Sequence, residues 1–313
     1  MKLSIIIPVY YNEDNLVPLY EDIRNKILNH DENEYEIVMV NDGSKDQSYE
    51  VMKTLADQDT RIRIISLSRN FGSHAAILCG LANCTGDCAV VKAADLQEPT
   101  ELILQMLEKW KEGYNVVLAT RESRDESRRQ IWFANLYYSI VRKLALPNMP
   151  KTGFDIYLVD KRVINVLTSL DETNSALTGQ ILWSGFKTAT VPYERLAREI
   201  GTSKWTLRKK IGLVMNTLFS FSRVPIHVVT GIGVLSFLGA LIWAVVELVA
   251  KLSGLIEISG FTTLFIFQLF SFGVTMSTLG ILGSYLWRTF DASRNRPPYI
   301  IEDSNEKTEI RRK

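Results

Sequence analysis

The chain has 313 residues, 46% of them hydrophobic and 23% charged, with 36 Lys and Arg against 35 Asp and Glu. That length allows about two domains, and the balanced charge argues against a nucleic-acid partner, which needs a basic excess. Cys79, Cys84 and Cys88 form no CxxC pair, so neither a disulfide framework nor a zinc knuckle is indicated, and a reducing compartment fits.

The opening MKLSIIIPVY runs into Pro8 and polar residues without the apolar stretch and cleavage site of a signal peptide, so none is expected. Val- and Ile-rich runs at Leu3–Val9, Tyr35–Val40, Ile62–Leu67, Cys88–Ala93 and Asn115–Ala119 predict strands buried on both faces. Helical patterns separate them at Asn15–Leu28, Ser48–Asp57, Ser73–Cys84 and Glu98–Gly113, the last with Pro99 in its first turn. Alternating strands and helices imply an α/β fold with a doubly wound, mostly parallel sheet and ligands beyond the carboxyl ends of the strands.

After about Pro225 the composition changes. Val224–Val246 holds no Asp, Glu, Lys or Arg, and Phe261–Trp287 holds no ionisable Asp, Glu, Lys, Arg or His. Each is long enough to cross a bilayer, and the short connector makes a two-helix transmembrane hairpin. Arg208, Lys209, Lys210 and Arg223 before it, and Arg288, Arg294 and Arg296 after it, put both flanks on the cytoplasmic side. Leu207, Ile211, Met215, Leu218 and Phe219 recur at helical spacing, predicting a juxtamembrane amphipathic helix in the headgroup layer. The expected organisation is a cytoplasmic domain over 1–200, an acceptor loop and interfacial helix over 201–223, two spans within 224–287 (about 224–249 and 261–287), and a polar, frayed cytoplasmic tail over 288–313. The expected location is the cytoplasmic (inner) membrane, multi-pass.

Neither GxGxxG nor GxxxxGK[ST] is present, which removes the two common nucleotide fingerprints of this architecture. The strand ends instead carry Pro8-Val9-Tyr10-Tyr11-Asn12-Glu13, Asn41-Asp42-Gly43-Ser44 and Ala93-Ala94-Asp95-Leu96-Gln97-Glu98-Pro99. If 93–97 is extended, Ala93, Asp95 and Gln97 share a face, and the last two offer oxygen ligands. Asp42 sits in Asn-Asp-Gly-Ser, which is good turn chemistry.

These pieces, in order IIIPVYYNE, VNDGS, LSRNFG (67–72), ADLQEP and RxxGxSKW (198–205), resemble glycosyltransferase family 2, specifically its enzymes that move a sugar onto a polyprenyl phosphate, such as dolichol-phosphate mannose synthases and bacterial undecaprenyl-phosphate glycosyltransferases. The resemblance implies a GT-A type fold, a UDP- or GDP-sugar donor, a polyprenyl phosphate acceptor, a divalent metal (Mg2+ or Mn2+), inverting transfer serving cell-envelope glycan modification, and a homo-oligomer. It places Pro8, Tyr10, Glu13, Asp42 and Arg69 around the donor nucleotide, Asp95 and Gln97 on the metal, and Asp155 near the reacting centre as base or as orienter of a sugar hydroxyl. Asp95 and Asp155 are then the catalytic carboxylates, and Arg198, Ser203 and Lys204 hold the acceptor phosphate, with Arg195 a further member of that group. The family's first metal-binding Asp is replaced here by Ala93, so the metal is expected to bind appreciably only with the nucleotide diphosphate. That replacement keeps in view a non-catalytic nucleotide-binding membrane scaffold; a processive polysaccharide synthase is the other alternative, although it would carry more spans and a QxxRW motif.

Overall fold

Strand β1 (Lys2–Val9) is hidden on both faces because its side chains alternate between two apolar layers: Leu3, Ile5 and Ile7 enter one cluster and Ile6 the other. The computed structural model describes all residues except 30–32, 123–127, 171–175, 197–211, 213–216, 218, 223, 254–259 and 306–313. From β1 the chain runs through α1 (Glu13–Ile23), a π-helical turn (Arg24–Leu28), β2 (Glu34–Asn41), α2 (Ser48–Gln58), β3 (Ile62–Leu67), α3 (Ser73–Asn83) and β4 (Cys88–Val91). It continues through α4 (Leu102–Lys111), β5 (Val116–Arg121), α5 (Arg128–Leu144), β6 (Tyr157–Asp160), α6 (Lys161–Ser169), α7 (Leu177–Trp183) and β7 (Thr188–Tyr193). Two long helices, α8 (Val224–Leu252) and α9 (Phe261–Ser293), precede a last strand, β8 (Ile301–Ser304).

The strands form one sheet in the order β7-β5-β6-β4-β1-β2-β3-β8. β1 pairs in parallel with β2 and β4, β2 with β3, and β5 with β7, whereas β6 runs antiparallel between β4 and β5. The mostly parallel, doubly wound arrangement is the one the alternating pattern predicts. Helices on both faces cover the sheet, so the loops at the carboxyl ends of β1 to β5 are left to build a site. The three cysteines are free and buried, and burial pushes the Cys79 thiol up to about 12, as expected of small core residues.

Three local expectations are corrected. Residues 93–97 form a turn, not an extended segment: Leu96 has φ +57°, and the Glu98 carboxylate reaches back to accept the Ala93 N–H at 3.1 Å. That closure also keeps Pro99 out of the helix, and α4 begins at Leu102 rather than Glu98. The tail is not frayed throughout, because β8 adds antiparallel to β3. Asn305 completes the attachment by mimicking a backbone unit, accepting from the Ile64 N–H at 2.9 Å and donating to the Ile62 carbonyl at 3.1 Å. Tyr49 donates to Asp303 at 2.9 Å and Ser68 N–H to Ile300 O at 3.0 Å.

Helices α8 and α9 are long and apolar enough to cross a membrane, over Val224–Val246 and Leu264–Ser293, with mean hydropathy 2.2 and 1.7. Their side chains Leu235, Phe237, Ile242, Leu264 and Ile266 lie exposed. An apolar surface of that extent belongs against lipid rather than water, and the protein is membrane-associated. Near the start of α8, Tyr285 donates to Ser222 O at 3.3 Å and Arg288 to Ser220 Oγ at 3.0 Å. Phe221 packs so tightly on Gly179 of α7 that a Cβ there would lie 2.3 Å from its ring, and glycine admits that approach.

Candidate active site

The ends of β1 and β2 are stitched together by short polar side chains. Asp42 N–H donates to Val9 O at 2.8 Å, Tyr11 N–H to Ser44 Oγ at 3.0 Å, Asn12 N–H to Ser48 Oγ at 3.0 Å, and Gln47 N–H to the Glu13 carboxylate at 2.6 Å. Tyr11 sits at φ +53°, its ring 4.7 Å from that of Tyr10 in an edge-on pair. Pro8 pairs with Val40 just below. Pro8, Tyr10, Glu13 and Asp42 are thus brought to one rim.

Asp42 is 2% exposed, and both its oxygens accept backbone N–H groups: Phe71 at 2.7 Å and Gly72 at 3.0 Å. Burial raises its pKa, against those two bonds and the Arg69 charge, which favour the ionised form. Asp42 therefore fixes the loop after β3. Gly43 next to it has φ +66°, and a Cβ there would lie 2.4 Å from the Arg69 carbonyl carbon. On this loop Arg69 lies over the Phe71 ring at 4.1 Å. The sequence pattern VNDGS…SRNFG thus encodes two loops in direct contact.

Beyond β4, the oxygens of Asp95 and Gln97 converge on one cation. Arg195 donates to Gln97 Oε1 at 2.6 Å, and its guanidinium lies 3.9 Å from Asp95 Oδ2. The backbone binds here too, with Leu196 N–H on Gln97 O at 2.9 Å. Among the described residues no three of His, Cys, Asp or Glu gather into a metal-binding group. Asp95 and Gln97 nevertheless present the hard oxygen donors that a small divalent cation takes, and a positive group already lies against them.

Under this turn lies a pair that sequence reasoning missed. Lys92, 2% exposed, donates to Glu98 O at 2.8 Å, and burial lowers its pKa. Burial pushes the Glu98 carboxyl up to about 7, with Asp95 and Asp155 adding in the same direction and Lys92 opposing. Lys92 falls inside the predicted strand Cys88–Ala93 and Glu98 at the predicted start of the next helix, and the one available signal was a lysine in that apolar run.

Asp155 accepts a hydrogen bond from Arg121 at the end of β5. Arg121 was also missed; its position at a strand end was the signal. Arg198, Ser203 and Lys204 lie outside the described residues, as does most of the juxtamembrane segment proposed to be an interfacial helix.

The model of the family described as glycosyl transferase family 2 matches residues 4–167. An uncharacterized glycosyltransferase YkcC of Bacillus subtilis (strain 168) is 35% identical over 305 residues, 97% of this chain and 94% of that protein. The bactoprenol glucosyl transferase of Shigella phage SfV is 33% identical over 313 residues, covering 98% of this chain and 100% of the relative. Among solved structures, glucosyl-3-phosphoglycerate synthase from Mycobacterium tuberculosis in complex with Mn2+, uridine-diphosphate and phosphoglyceric acid is 14% identical with a TM-score of 0.48, covering 70% of this chain and 78% of that one. On the family match and the near full-length relatives, the chain belongs to glycosyl transferase family 2 and is a glycosyltransferase.

Proposed function

We propose that this enzyme transfers a hexose from a nucleotide sugar to the phosphate of a polyprenyl carrier in the cytoplasmic membrane, with inversion at the anomeric carbon. The observation that carries the reading is continuity: the Asp95 and Gln97 turn is bonded to Arg195 and Leu196, and the chain runs from there toward α8. In sequence, Arg195 and Leu196 lie between β7 and α8. Relatives named bactoprenol glucosyl transferases support a prenyl acceptor and make glucose the first sugar to test.

In this reading Pro8, Tyr10, Glu13 and Arg69 form the donor pocket, and Asp42 holds Arg69's loop in place beside them. An acceptor phosphate oxygen attacks the anomeric carbon, the bond to the nucleoside diphosphate breaks, and the diphosphate leaves with the bonding pair. The attacking oxygen is already anionic near neutrality, so positioning and charge stabilisation matter more than a strong base. Asp155, held by Arg121, orients a sugar hydroxyl. Asp95 and Gln97 would hold a divalent cation, whose chemistry there is neutralisation of the departing diphosphate. Arg198, Ser203 and Lys204 supply fork and point-charge donors for the lipid phosphate. The catalytic domain faces the cytoplasm, and α8 and α9 span the membrane as a hairpin.

The test is transfer of label from UDP-[14C]glucose, with GDP-sugars in parallel, to undecaprenyl phosphate in detergent with Mn2+. Labelled lipid that is lost in Asp95→Asn supports the reading. Nucleotide binding without labelled lipid from any donor would identify a scaffold instead.

A further inference from the structure

The Asp95 and Gln97 oxygens face a guanidinium at the place where the proposed function puts a metal. Arg195 Nη2 lies 2.6 Å from Gln97 Oε1 and 3.9 Å from Asp95 Oδ2, and it belongs to the segment that enters residues 197–211. Leu196 is tied to the same turn in both directions, its N–H on Gln97 O at 2.9 Å and its carbonyl accepting from Gln97 Nε2 at 3.4 Å. Two cations cannot share these oxygens without strong repulsion, because like charges a few ångströms apart repel far more near a protein than in bulk water. A metal that binds here must therefore move Arg195, which lies three residues before Arg198 in the sequence.

We propose that Arg195 is a displaceable internal counter-cation: it occupies the Asp95 and Gln97 oxygens until a divalent metal replaces it, and the released guanidinium then turns toward the acceptor phosphate. The proposal rests on the reading of Asp95 and Gln97 as metal ligands. It explains how a chain with Ala93 in place of a carboxylate keeps its single metal-binding Asp neutralised while unloaded. It also makes metal binding and acceptor binding favour each other, because both need Arg195 away from Gln97, and by linkage that coupling is reciprocal.

The experiment measures Mn2+ affinity of the full chain in detergent from the spin-resonance signal of free Mn2+, without and with UDP, and without and with farnesyl phosphate. In the wild type, farnesyl phosphate should tighten Mn2+ several-fold. Arg195→Met should bind Mn2+ roughly ten-fold tighter than wild type in the absence of nucleotide, the equivalent of one charge-assisted hydrogen bond lost by the competitor. The farnesyl phosphate effect should disappear in that variant. Arg195→Lys, which keeps the charge and loses the fork, should fall between the two. Equal or weaker Mn2+ binding in Arg195→Met, while the wild type binds Mn2+ with UDP, would overturn the role of Arg195 alone. No Mn2+ binding by the wild type with UDP would overturn the metal assignment and this proposal with it.

Discussion

Replacing Gly43 by Ala tests whether the donor-side loops are held as the structure describes. The residue sits at φ +66°, where an alanine costs about 1–2 kcal/mol. Its new Cβ would lie 2.4 Å from the Arg69 carbonyl carbon and 2.6 Å from Asn70 N, both backbone atoms, where ordinary contact begins near 3.4 Å. The Arg69–Asn70 backbone must therefore retreat by roughly 1 Å, and the Phe71 and Gly72 N–H bonds to the buried Asp42 carboxylate stretch with it. Losing one bond to a buried charged group costs about 1.5–3 kcal/mol. The sum is about 2.5–5 kcal/mol, a large share of the ~5–15 kcal/mol that stabilises a typical domain. Thermal unfolding and UDP-glucose affinity, measured on the purified full chain in detergent, give the two readouts. Gly43→Asn separates the causes, because asparagine tolerates a left-handed backbone yet carries the same Cβ. It should recover about 1 kcal/mol and leave donor affinity impaired. A Gly43→Ala enzyme of wild-type stability and affinity, or full rescue by Asn, would refute the contact between the two loops.

Ending the chain after Arg296 removes β8 and its attachments to Tyr49, Ile62, Ile64 and Ser68. At ~0.5–1.5 kcal/mol per hydrogen bond this should cost about 3–5 kcal/mol, seen as a lower unfolding midpoint, and a synthetic peptide spanning 297–306 should restore part of it. For pH, the Arg61 hydrogen bonds hold Asp59 down at about 2 from an ordinary 3.8, against the effect of burial. A depressed carboxylate contributes stability above its unfolded value and loses it as pH falls through the folded one. Asp59→Asn should therefore flatten the loss of stability between about pH 4 and pH 2, read from urea midpoints across that range.

How much of this was legible depends on where each element gets its stability. β1 to β5 announce themselves because a strand covered on both faces must be apolar throughout, as IIIPV and IVMV are. β6, only four residues long, exists through pairing with β4 and β5, which no local pattern encodes. β8 reads Ile-Glu-Asp-Ser and is held by backbone bonds and by Asn305, so its composition looks like a loose end. At the site, Asp42, Asp95 and Gln97 stood out as polar residues where strands stop. The Lys92 and Glu98 pair did not, because charged side chains are rarely buried and only tertiary contacts show that these two are.

The two outer strands of the sheet, β7 and β8, lie on either side of the hairpin in the chain, one preceding α8 and the other following α9. The polypeptide thus leaves one border of the catalytic layer, visits the bilayer, and is sewn back onto the opposite border. A fragment cut before the hairpin to gain solubility would discard the closing seam and bare the flank of β3, inviting edge-to-edge association. A better water-soluble version would splice the residues before α8 to those after α9, keeping both hems while omitting the anchor.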